Sequence, residues 1–170
     1  MKIRIAGTEF SLKNHSYEIY IQGCYRNCKG CHNPDTQSFS GGTEVEIGEF
    51  FQELHDRIQP FIDDGLIRRI YVSGGDLLCW DSRTAKEFGD HLVKHFLKLE
   101  RWLFTGAEPM ELPVWVWWYF HVVKCGRYRE DMRNPEGTFP ASKNQTLVFF
   151  YRLPREFFNS VEFEGVKTWS

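Results

Sequence analysis

Four stretches of this chain that read as buried strands each run into a turn containing glycine or cysteine. Tyr17 to Gln22 leads into Gly23-Cys24, and Leu66 to Ser73 leads into Gly74-Gly75-Asp76. Arg101 to Thr105 leads into Gly106, and His121 to Cys125 into Gly126. Short β-branched and aromatic runs bounded by turn residues are the pattern of strands. Between the first two, Ile47, Phe50, Phe51, Leu54, Ile58, Phe61 and Ile62 recur at helical spacing. Thr43 with Glu46 offers a capping box before them and Gly65 a stop after them. Over Arg83 to Leu99, Ala85, Phe88, Leu92, Phe96 and Leu99 mark a second helix, with Thr84 and Glu87 as its box. Pro113 to Tyr119 reads as a short helix opened by proline, and Thr146 to Tyr151 as a fifth strand.

This alternation predicts an α/β fold: a partial (β/α) barrel-like arrangement on a mostly parallel sheet with right-handed crossovers. Parallel sheets bind ligands beyond the carboxyl ends of their strands. Four unusual turns are therefore expected to converge on one edge, with the cysteine-bearing loop following the first core strand.

That loop reads Gly23-Cys-Tyr-Arg-Asn-Cys-Lys-Gly-Cys-His-Asn33 and sets Cys24, Cys28 and Cys31 at Cys-x3-Cys-x2-Cys spacing. Thiolates are the usual ligands of iron–sulfur clusters. A cubane has four irons, so three protein ligands leave one corner open, and an open position is where a metal does chemistry. The same residues also suit a zinc site or simple buried thiols. Structural zinc wants four ligands, however, and His32, the nearest fourth, is adjacent to Cys31 and awkward for tetrahedral closure.

With 170 residues the chain reads as one domain, with a core over about 15–151 and an extension of unknown role over 152–170. A net charge of -2 gives no field for nucleic acid or a membrane surface, and no apolar run suits a spanning helix or a signal peptide. An odd count of five cysteines, three of them clustered, argues against a secreted disulfide framework and for a cytoplasmic protein.

The cysteine spacing resembles the cluster motif of the radical S-adenosylmethionine superfamily. Its continuation, Cys31-His-Asn-Pro-Asp-Thr36, resembles the glycyl-radical-enzyme activases. Tyr71-Val-Ser-Gly-Gly-Asp76, Leu103-Phe-Thr-Gly106, Val122-Val-Lys-Cys-Gly-Arg-Tyr128 and Ser142-Lys-Asn-Gln145 extend the likeness over roughly Tyr17 to Leu147. They narrow it to the small activating proteins of anaerobic (class III) ribonucleotide reductase.

The resemblance implies that Cys24, Cys28 and Cys31 hold a 4Fe–4S cluster whose open iron is chelated by S-adenosyl-L-methionine. Gly74, Gly75 and Asp76 would receive the methionine amino group, and Thr105 would lie near the cofactor. Lys124, Arg127, Ser142 and Asn144 would contact cofactor or partner. It further implies reductive cleavage of S-adenosylmethionine and a glycyl radical raised on the large reductase subunit, with a flavodoxin-like electron donor and no general base. Leu77 stands where the family has proline, and Gly30 where many relatives carry an aromatic, which moves adenine stacking to His32. His121 occupies a position expected to be acidic and inherits no role.

Each residue also has a plainer account. Gly74-Gly75-Asp76 is cheap turn chemistry, Thr105 a turn hydroxyl, and Lys124 with Arg127 a solvated basic face. Arg26 and Lys29 read as solvated charges beside the cluster, Cys79 and Cys125 as small buried hydrophobes. Trp115 to Phe120 reads as core with a share in partner docking. Three other functions remain open: a differently targeted activase, a small-molecule radical enzyme such as a deazaguanine-type synthase, and a non-enzymatic electron-transfer or zinc module.

Overall fold

Lys2–Ser11 forms β1, a strand that the pattern of strand-end turns does not reveal. The computed structural model, which describes residues 1–150, pairs β1 antiparallel with β2 (Ser16–Ile21) and with β3 (Thr43–Glu46). Ile3 and Ile5 alternate inward between Lys2 and Arg4, which gives the strand its buried face. Because Thr43–Glu46 is taken up by this pairing, the expected capping box is not formed. Helix α1 (Ile47–Asp63) instead starts from an extended Glu46 with no side-chain cap, and its first amide donates to the Met1 carbonyl at 2.9 Å.

Beyond it come β4 (Arg69–Gly74), α2 (Ser82–His95), β5 (Glu100–Phe104), α3 (Val116–Tyr119), β6 (Val122–Cys125) and β7 (Thr146–Phe149). Leu66 and Ile67 lie outside β4 because their amides both donate to the Phe61 carbonyl and finish the preceding helix. The cap of α2 is Asp81, whose Oδ1 accepts from the Arg83 and Thr84 amides at 3.1 and 3.0 Å. Thr84, expected to cap, donates its own hydroxyl to Asp81. Pro113 opens only a turn, and α3 is a single turn of helix.

The sheet is seven-stranded in the order β3-β1-β2-β4-β5-β6-β7. Strands β2, β4, β5 and β6 run parallel, while β1, β3 and β7 join antiparallel. The expected α/β class is found, and the sheet is mixed rather than mostly parallel and is not closed, with β3 and β7 at its two edges. β3 is reached by the 22–42 segment, which carries the chain from β2 past β1, and β7 by the 126–145 segment after β6.

The period-2 rule divides the sheet into two faces. Ile19, Ile21, Ile70, Val72, Leu103 and Val123 join Phe51, Leu54, Ile58, Phe88 and Leu92 of the helices in the main core. Tyr71, Trp102, Val122 and Leu147 form a smaller aromatic cluster with Phe104, Phe139 and Phe149. In the Trp115 to Phe120 run, Val116, Tyr119 and Phe120 are core, whereas Trp118 is 64% exposed.

Arg101 is a structural tie rather than a surface charge. Its guanidinium donates to the carbonyls of Tyr119, Phe96, Leu97 and Leu99, joining α2 and α3 to the start of β5, and burial pulls its pKa down to about 10. His121 Nδ1 accepts from the Arg101 amide at 3.0 Å, and the guanidinium lies 3.1 Å from Nε2. Burial, then the Arg101 charge, lowers the His121 pKa to about 4.

Two outcomes follow. Phe51→Ala deletes a fully buried ring between α1 and α2 and is expected to cost about 3–5 kcal/mol in urea unfolding. For His121 the neutral form is the folded form, so its contribution is complete above the unfolded pKa near 6.5 and is lost as pH falls toward 4. Discounted for partial exposure, the loss is about 1–2 kcal/mol, and His121→Asn should flatten that part of the stability–pH curve.

Candidate functional site

The β2–β4 ladder continues past both strands. The Gly75 amide donates to the Ile21 carbonyl at 2.7 Å, and the Asp76 amide to the Gly23 carbonyl at 3.1 Å. On its other side the cysteine loop is held by the Gly23 amide on Thr36 O (2.7 Å) and the Cys24 amide on Gln37 O (2.9 Å). This packing explains the glycine pair. A methyl on Gly75 would lie 2.5 Å from the Gly23 carbonyl oxygen, and Gly74, at φ +88°, would place one 2.9 Å from Ile21 O.

At this edge a cavity of about 440 Å³ is lined by Cys24, Cys28 and Cys31 together with Gly74, Gly75 and Asp76. His32, Thr105, Lys124 and Arg127, also expected at the site, stand on its walls. Ser142 and Asn144 are not among the lining residues. Ser142 is fully buried and its hydroxyl accepts from the Arg129 amide, while Asn144 Nδ2 donates to the Arg127 carbonyl at 2.9 Å. They brace the turn that presents Arg127 and Tyr128 to the cavity. Tyr128 lies in a segment already singled out. Phe139, which also lines the wall, comes from a loop with no periodic signal.

Asp76 is 2% exposed and fully engaged. Its Oδ1 accepts from the Leu78 amide at 2.9 Å. Its Oδ2 accepts from Arg26 Nε at 2.5 Å, Thr105 Oγ1 at 2.8 Å and the Gly106 amide at 3.0 Å. Arg26, expected on the solvated surface, is instead the counter-ion of a buried carboxylate, because Asp76 has been carried to the inner end of its loop. Lys124 reaches the same cavity with its ammonium 5.8 Å from the Phe104 ring centre. Burial lowers its pKa, against the raising effect of Asp76, Cys125, Cys28 and Cys31. The His32 ring stands 4.5 Å from that of Tyr128.

All three motif thiols are half-buried. Cys24 shares a hydrogen bond with Cys79, which raises the Cys24 pKa and lowers that of Cys79. Cys79 is thus a half-buried neighbour of the motif rather than the buried hydrophobe expected. Cys125 is buried as expected. Among the described residues no three His, Cys, Asp or Glu side chains are gathered tightly enough to hold one metal ion. A four-iron cluster makes a different demand, spreading its thiolates over separate corners. Three thiols on one wall of a roomy cavity fit that demand. Ser73 Oγ, on the same cavity, is buried with no hydrogen-bond partner among the described residues and leaves a polar group for a ligand to satisfy.

The chain is similar to the anaerobic ribonucleoside-triphosphate reductase-activating protein of Vibrio cholerae, 27% identical over 138 residues, or 78% of this chain and 86% of the relative. The protein of the same name from Haemophilus influenzae is 26% identical over equal shares. A pyruvate formate-lyase-activating enzyme of Clostridium pasteurianum is 37% identical over 60 residues, 35% of this chain and 24% of that enzyme. The likeness to radical activases read from the motifs therefore holds over most of the chain. The family model of the 4Fe–4S single cluster domain matches residues 15–148, from β2 into β7, and the chain belongs to that family.

Proposed function

We propose that this protein is a glycyl-radical activase. Cys24, Cys28 and Cys31 hold a 4Fe–4S cluster, S-adenosylmethionine is the cosubstrate, and the target is a glycine of the anaerobic ribonucleotide reductase large subunit. The reading is carried by the meeting of three loop thiols with a glycine-lined strand end on one cavity. Held by Cys24, Cys28 and Cys31 and reduced by a flavodoxin-like donor, such a cluster would supply the one-electron chemistry that cleaves S-adenosylmethionine and leads to hydrogen abstraction from the target glycine.

The chain's own part is to bind, orient and exclude water. Gly74 and Gly75 let the ammonium approach backbone carbonyls, since the Asp76 oxygens already hold four donors. Lys124 is the cation suited to the methionine carboxylate, aided by the unpartnered Ser73 hydroxyl. His32 and Tyr128 offer a ring pair for adenine. Thr105 acts behind Asp76, and Ser142 and Asn144 act through the turn they brace. No side chain is asked to move a proton.

Anaerobic reconstitution is expected to yield about four irons and four sulfides per chain, and dithionite should then drive 5′-deoxyadenosine release. Cys28→Ser should abolish both while leaving the far-ultraviolet spectrum unchanged. One zinc per chain with intact S-adenosylmethionine would overturn the reading. A glycyl radical signal on added anaerobic reductase tests the target. Deoxyadenosine without that signal, or with the signal on pyruvate formate-lyase instead, reassigns the partner.

A further inference from the structure

We infer that Arg26 is a positioning residue, the latch that fixes the cysteine loop against the ends of β4 and β5. The inference rests on the activase reading for its functional consequence, but the latch itself is read from geometry.

Arg26 sits between Cys24 and Cys28, so whatever holds it holds both ligands. Its side chain is 10% exposed and its Nε donates to Asp76 Oδ2, on the turn that follows Gly74 and Gly75. The same oxygen takes the Thr105 hydroxyl and the Gly106 amide. One carboxylate oxygen thus joins the cysteine loop, the glycine pair and the end of β5. The stem of Arg26 lies across Gly106, where a methyl group would overlap its Cδ. A solvated arginine would need neither this bare backbone nor a buried acceptor. Without Arg26, Asp76 would keep a buried negative charge with two neutral donors on Oδ2, so the interaction holds the loop with the force of an uncompensated charge.

The consequence is registration. The iron corners are set by the loop and the cosubstrate amino group by the glycine pair, and the latch prevents the two from sliding apart. Misplacement of reacting groups by a fraction of a bond length is costly in rate.

The test uses Arg26→Gln, Arg26→Lys and Gly106→Ala, the last displacing Arg26 while keeping its charge. In the apoprotein, peptide-resolved amide exchange across 23–31 should accelerate about tenfold or more in Arg26→Gln and Gly106→Ala, with α1 unchanged and partial restoration in Arg26→Lys. In the reconstituted protein, Arg26→Gln should keep its iron and sulfide yet release deoxyadenosine about 10- to 100-fold more slowly. Its reduced-cluster resonance should also respond differently to added S-adenosylmethionine. Unchanged exchange over 23–31, or equal acceleration in α1, would overturn the latch. Wild-type protein that binds a cluster but releases no deoxyadenosine would sink the activase reading, and the exchange result would still decide the latch.

Discussion

The architecture hinges on a parallel ladder that outruns its strands. β2 and β4 pair from Ser16 with Arg69 to Ile21 with Gly74, and the next two amides of the second strand still find carbonyls on the first chain segment. A strand end normally releases its backbone to solvent. Here it is carried onward, so the cysteine loop and the glycine turn leave the sheet as a bonded pair. The helices contribute indirectly: α1 and α2 bury Phe51 and Phe88 against one face and keep the central strands in register. The edge where chemistry is expected inherits its rigidity from that face.

Charge at this edge is balanced by side chains of one protein rather than by solvent. Asp76 is neutralised by Arg26, and Lys124 is held in an apolar setting beside Phe104, where burial lowers its pKa. Thiolates arriving on Cys28 and Cys31 act in the opposite direction on Lys124. The cavity is therefore built to receive negative charge: of its cations Arg26 is already committed to Asp76, Lys124 gains from each anion placed nearby, and Arg127 stands on the wall.

Much of this was legible in the residues, and the failures have physical causes. The parallel core could be read because each strand ends in a turn that only small or special residues tolerate. The cysteine spacing could be read because metal ligation dictates it. β1 and β3 could not, because their pairing is long-range and antiparallel, and Thr43 and Glu46 satisfy a local capping pattern equally well until β1 claims them. Arg26 looked like one of many surface charges, since nothing local shows that a carboxylate fifty positions away will face it. Ser142 and Asn144 were expected to contact cofactor or partner, yet neither lines the cavity, because which way a turn points its side chains depends on the Arg127 and Arg129 backbone. The final strand was expected to reach Tyr151, which, with the extension over 152–170, lies outside the described residues.

The glycine pair bears on how variants at this edge are interpreted. Space at Gly75 is denied by the Gly23 carbonyl, and at Gly74 by the backbone of Ile21 and Tyr20, before any ligand enters. An alanine there pushes two main chains apart and tilts the loop bearing Cys24. Lost turnover in such a variant thus measures a displaced scaffold, and contact with a bound molecule is better probed at Ser73 or Lys124, where the side chain can be shortened without parting the strands.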